Sequence, residues 1–139
     1  FIDFLKVNSM PIPEEFSQRE RRVLIVESDP AVAKQVQETL QSSGYMTSVA
    51  SDGFLAGSLL GTFKPSVMLL DLRIPGLSSD DVVNFIKKAT GMDRVKVMVV
   101  AGASGEIPSQ SGADGFLHRP FSREELLSKV NSLLEPSYI

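Results

Sequence analysis

The sequence contains no cysteine, which excludes disulfides and thiolate metal sites and fits an intracellular protein. No apolar run approaches the roughly 20 residues that a membrane-spanning helix needs. There is a single histidine, His118, which has no partner constellation and reads as incidental. Strong charge of either sign is also missing. The net charge is −3 and the pI about 5.1, so nucleic acid meets no general electrostatic attraction. What is present is an ordinary globular balance, 42% apolar and 22% charged residues over 139 positions, sufficient for one domain with a core and a short appendage. The chain opens on Phe1 with neither an initiator Met nor the features of a signal peptide, and the expectation is a fragment of a longer protein.

Residues 1–7 carry apolar side chains at Phe1, Ile2, Phe4, Leu5 and Val7, which suits the end of a helix. Pro11 and Pro13 then break any helix, and residues 8–20 read as a linker whose Arg19, Arg21 and Arg22 mark a solvated junction. From Val23 the pattern changes. Val23-Leu24-Ile25-Val26 is the continuous apolar run of a strand covered on both faces. Asp29-Pro30 follows as a helix cap and first helical residue. Val32, Val36 and Leu40 then share one face of a helix over 30–43 that Gly44 stops.

The unit recurs along the chain. Strands are expected at 45–50, 67–70, 95–100 and 116–118, and helices at 52–63, 79–89 and 122–134. The last begins with the capping box Ser122 and Glu125. Strands alternating with helices predict an α/β fold, a parallel sheet with helices on both faces. Such sheets bind ligands at the carboxyl ends of their strands, beside the switch in strand order.

The polar residues expected at those ends are Glu27, Ser28 and Asp29, then Asp71, then His118 and Arg119. Asp71 ends the run Val67-Met68-Leu69-Leu70 and precedes a loop containing Pro75-Gly76. Glu27 stands at the equivalent end of the first strand. Two converging carboxylates suit Mg²⁺, which prefers oxygen ligands and keeps several waters. The alternative, that each acid caps the helix or loop after it, stays open from spacing alone.

Val23-Leu24-Ile25-Val26-Glu27-Ser28-Asp29-Pro30, Leu69-Leu70-Asp71-Leu72-Arg73-Ile74-Pro75-Gly76 and the stretch Gly112 to Phe121 together resemble the receiver domain of two-component response regulators. The resemblance runs from about Arg22 to Leu134. It implies a doubly wound, five-stranded parallel sheet, the flavodoxin-like receiver fold, that accepts phosphate from a histidine kinase onto Asp71. It also implies Mg²⁺ held by an acidic pair and the acceptor Asp, with a hydroxyl after strand four and a Lys after strand five contacting the phosphate. Those contacts bias a two-state surface.

Against that pattern, much of this sequence is altered. The acidic pair falls on Glu27 and Ser28, so the second acid becomes a neutral hydroxyl and a weakened Mg²⁺ site at Glu27 and Asp71 is expected. The switch hydroxyl falls on Ala101 and is lost; Ser104 is a poor substitute. The Lys position falls on Arg119, which keeps the charge in a planar fork and is placed to pair with Asp71 when phosphate is absent. Phe116 occupies the position of the switch aromatic and, without a hydroxyl at 101 to draw it inward, reads as core. Between Ala101 and Gly112 the segment is about one helical turn shorter than the family's. It holds glycines and Pro108, which cost about 1 and 3 kcal/mol inside a helix. The fourth helix is therefore expected to be shortened or missing.

The resulting expectation is a junction over 1–21, a receiver over 22–135 and a tail over 136–139. This would be an atypical receiver of a response regulator that acts mainly through protein–protein interaction, with weak or no phosphorylation at Asp71. The alternative is a Mg²⁺-dependent phospho-acceptor switch served by a histidine kinase. An enzyme on this fold is disfavoured, because no Gly-rich loop follows the first strand and no second acid lies two residues after Asp71. The expected partners are a histidine kinase or another signalling protein. The leading segment resembles the end of a winged-helix DNA-binding module, so an upstream DNA-binding domain is expected in a cytoplasmic regulator of transcription. No nucleic acid or membrane contact is expected of this segment. Homodimerisation stays open, because the face used by many family members includes the shortened helix.

Overall fold

The structure, a computed structural model, describes residues 21–71, 88, 95–101 and 113–134. The elements are β1 (Arg22–Val26), α1 (Pro30–Gln41), β2 (Met46–Ala50), α2 (Gly53–Thr62), β3 (Val67–Asp71), β4 (Lys96–Ala101), β5 (Gly115–His118) and α3 (Arg123–Leu134). The strands form one five-stranded sheet in the order β2-β1-β3-β4-β5, parallel at every pairing. The helix expected over 79–89 lies outside the described residues except for Lys88. The segment 102–112, with Ser104 and the expected shortened helix, lies wholly outside them, as do residues 1–20, the Pro75-Gly76 loop and the tail after Leu134.

Local chemistry sets the element ends. The Asp29 carboxylate accepts from the Ala31 N–H at 2.9 Å, and Pro30, with no N–H to leave unpaired, opens α1. Asp52 caps α2 by accepting from the Leu55 N–H at 2.8 Å. At α3 the capping box forms: Glu125 N–H donates to Ser122 Oγ at 3.0 Å, and Ser122 N–H to Glu125 Oε1 at 3.4 Å. α1 ends at Gln41 rather than at residue 43, because Ser42 is its C-cap and the chain then turns through Gly44 at φ +92°. A side chain at 44 would be strained at that angle, and its Cβ would also meet the Arg21 guanidinium at 3.0 Å. β2 accordingly starts at Met46, and Tyr45 is buried beside it.

Strand residues alternate between two cores, which makes the sheet doubly wound. Leu24, Val26, Met68, Leu70, Val97 and Val99 pack on one face with Ala56 and Leu60 of α2. Val23, Ile25, Val67, Leu69, Met98 and Leu117 pack on the other face with Val36 and Leu40 of α1 and Leu126 and Val130 of α3. The apolar positions expected on α1 and α3 do face the core: Val32, Leu127, Leu133 and Leu134 pack at its margin. On that side, Arg21 stacks over the Tyr45 ring with 5.4 Å to its centroid. The Tyr45 hydroxyl donates to Asn131 Oδ1 of α3.

Burial separates positions that matter for stability from those that do not. Leu24 is fully buried at the centre of its cluster, and Leu24→Ala is expected to cost about 2–5 kcal/mol of unfolding free energy. Phe54 on α2 is 90% exposed, and Phe54→Ser is expected to stay within about 0.5 kcal/mol of the parent. Urea denaturation of both variants checks the pair; similar losses at the two sites would contradict this packing.

Candidate functional site

The order β2-β1-β3 places the switch in strand order between β1 and β3. β1 and β3 run in register with Val26 beside Leu70, so Glu27 and Asp71, each one residue further on, meet at the carboxyl edge. Both are buried, at 5% and 3% relative exposure. The Glu27 backbone N–H donates to the Ala50 carbonyl at 2.9 Å, which fixes the residue as an extension of β1.

Arg119 reaches this pair from beyond β5. Its own N–H donates to the Ala101 carbonyl at 3.0 Å, anchoring the residue where β5 leaves the sheet, and its peptide bond to Pro120 is cis. β4 separates β5 from β3, so the Arg119 side chain meets the two carboxylates across the end of β4. Nη2 lies 2.9 Å from Glu27 Oε1 and 3.1 Å from Asp71 Oδ2, and Nη1 donates to Asp71 Oδ1 at 3.4 Å. The remaining oxygen of Glu27, Oε2, accepts from the Asp29 N–H at 3.1 Å. Each carboxylate oxygen of the pair therefore faces an N–H. A planar fork is suited to this arrangement, since a single guanidinium presents several fixed donors at once.

A small cavity of about 20 Å³ adjoins the triad, roughly the room of one water molecule. Besides Glu27, Asp71 and Arg119 it is lined by apolar residues, among them Val32, Val36 and Leu69. Burial pushes the Glu27 carboxyl above its ordinary value. The Asp29 N–H opposes that shift, Asp71 beside it adds to it, and the Arg119 charge works against it.

Of the candidate residues, the structure thus brings Glu27, Asp71 and Arg119 together. Ser28 is exposed and turned to solvent. Ala101 is fully buried at the end of β4 and has only a methyl group there. Phe116 pairs with Val99 and packs half-buried on the α2 side of the sheet. His118 is exposed. Sequence reasoning missed two features: the bond from Arg119 to Glu27, and Phe121 in the cavity wall. Phe121 closes the stretch His118-Arg119-Pro120-Phe121, which was the one available signal for it.

The family's Mg²⁺ would need about six oxygens in near-octahedral array, several of them waters. Among the described residues no group of three or more His, Asp or Glu side chains gathers as a metal cluster. The two carboxylates at hand are engaged by a guanidinium standing between them. With Arg119 in this position the arrangement does not fit the ion.

The raised Glu27 value carries a sign for stability. Between the ordinary 4.5 and its raised folded value, the native protein holds more protons at Glu27 than the unfolded chain does. Its contribution to stability therefore falls as pH rises through that window. Glu27→Gln removes this ionisation, so the variant should gain on the parent as pH rises. Urea unfolding of both proteins across that range measures the difference, and a gap that does not change with pH would contradict the assignment.

The geometry can be set beside known proteins. The response regulator receiver domain model matches residues 23–131. The DNA-binding response regulator MtrA of Mycolicibacterium smegmatis is 30% identical over 115 residues, 82% of this chain and 50% of MtrA. The DNA-binding dual master transcriptional regulator RpaA of Synechocystis sp. is 31% identical over 118 residues, 81% of this chain and 48% of its own. The chain thus spans about half the length of these curated relatives. Among solved structures, the signal receiver domain of a response regulator from Bermanella marisrubri is 29% identical with a TM-score of 0.72, covering 83% of this chain and 98% of that one. The response regulator TrrA of Thermotoga maritima, solved in complex with Mg²⁺-BeF, is 27% identical with a TM-score of 0.73, covering 81% and 98%. With the match over most of its length and the five-stranded sheet expected of such a domain, this chain belongs to the response regulator receiver domain family.

Proposed function

We propose that residues 22–135 form an atypical receiver of a response regulator, acting mainly through protein–protein contacts with weak or no phosphorylation at Asp71. The observation that carries this reading is the engagement of the Asp71 carboxylate, both of whose oxygens lie against the Arg119 guanidinium. A nucleophile held this way must break a charge-assisted contact before it can attack phosphorus. The rest of the pocket offers little compensation. Position 28 has no acid and position 101 no hydroxyl, while phosphoryl transfer depends on positioning and neutralisation of charge. The domain would then signal through the surface it presents, to a histidine kinase or another signalling protein, as a module rather than an enzyme.

Residues 1–21 would join it to an upstream DNA-binding domain, and 136–139 would be a short tail. The relatives MtrA and RpaA are DNA-binding by name, which supports a role in transcription regulation for the longer protein. No helix among the described residues is long and apolar enough to cross a membrane, in keeping with a cytoplasmic location.

A second reading has its own support. Asp71 is retained at the end of β3, and TrrA was solved with Mg²⁺-BeF; both favour a phospho-acceptor served by a histidine kinase. Intact mass after incubation with Mg²⁺ and acetyl phosphate separates the two. The parent is expected to gain little or no phosphate adduct, like Asp71→Asn. A stoichiometric adduct absent from that variant would replace the interaction reading with the switch.

A further inference from the structure

We infer that the Arg119 guanidinium takes the place of the divalent cation in this pocket, joining Glu27 to Asp71 as a tethered counter-ion and shutting the metal out. The inference rests on reading Glu27 and Asp71 as the carboxylates that face the metal in this family.

Three observations carry it. The first is occupancy: Glu27 Oε1 and both Asp71 oxygens face Arg119, and Glu27 Oε2 faces the Asp29 N–H. A metal binding there would have to displace hydrogen bonds made by buried carboxylates. The second is charge. A dication entering beside a guanidinium that lies 2.9 and 3.1 Å from the two acids meets repulsion in a site shielded from solvent, where Coulomb forces are strong. The third is space. The adjoining cavity of about 20 Å³ has apolar residues in its wall and suits about one water, whereas Mg²⁺ brings several.

The tether gives Arg119 a further advantage. It is covalently part of the chain and held at its backbone by Ala101, so its association is intramolecular and independent of metal concentration. A lysine would leave a different pocket. Its compact ammonium cannot make the same forked contact with two carboxylates. The substitution at 119 and the missing acid at 28 thus form one arrangement: fewer negative charges, neutralised by a cation supplied from within.

The experiment is a calorimetric titration of Mn²⁺ and of Mg²⁺ into the whole 139-residue chain, with circular dichroism to verify folding. The parent should show no saturable site that depends on Asp71. Arg119→Ala removes the guanidinium from both carboxylates and should bind Mn²⁺ at least about tenfold more tightly than the parent. The added Asp71→Asn change should abolish that gain. Arg119→Lys, which keeps a positive charge and protects against loss of folding, should lie between parent and Arg119→Ala. Saturable Mn²⁺ binding by the parent that Asp71→Asn removes would overturn the inference, as would a folded Arg119→Ala that gains no affinity.

The inference and the proposed function fail separately. A parent that binds the metal yet takes no phosphate sinks the exclusion and leaves the interaction reading standing. An adduct on Asp71 that forms equally with acetyl phosphate in EDTA supports the exclusion and sinks the interaction reading.

Discussion

Two carboxylates buried side by side need a positive partner or a shared proton, and the pocket is organised around that need. Glu27 and Asp71 lie at the ends of neighbouring parallel strands, placed there by a sheet order that no local change can alter. Their mutual repulsion and their loss of water are both unfavourable. The Arg119 guanidinium opposes both effects at once. It also ties the far strand β5 to the centre of the sheet, so the electrostatics of the pocket and the closure of the sheet's carboxyl edge depend on the same side chain.

That arrangement has a particular energetic character. An ion pair whose acids are buried adds little net stability, because desolvation offsets much of the attraction, but breaking it from one side is costly. The triad therefore acts less as a source of stability than as a constraint on which states are accessible. The two apolar cores, one on each side of the sheet, hold the fold. The triad pairs the charges at the carboxyl edge, and Phe116 packs on the α2 side of the sheet.

Most of the fold was legible from apolar patterning. Runs such as Val23 to Val26 and Val67 to Leu70 are buried throughout, as parallel strands covered on both faces must be. The caps at Asp29 and Ser122 also followed from local chemistry, because each needs only a side chain within a few residues. The end of α1 was misplaced by two residues, since the turn through Ser42 and Ser43 to Gly44 is set by backbone bonds that composition does not encode. In the site, Asp71 and Glu27 were found because both end strands. A pairing of Arg119 with Asp71 could be anticipated from its position, but its contact with Glu27 could not: 92 residues separate them, and the contact depends on how far a flexible side chain reaches across β4. The cavity wall at Phe121 was equally a matter of tertiary packing.

The Tyr45 junction has a mechanical side. Arg21, immediately before β1, lies over the Tyr45 ring, and the same residue's hydroxyl is bonded to Asn131 on α3. Tension applied to the backbone ahead of β1 therefore meets two attachments: the ladders that bond β1 to β2 and β3, and the weaker stacking of Arg21 on a ring whose hydroxyl is held by the last helix.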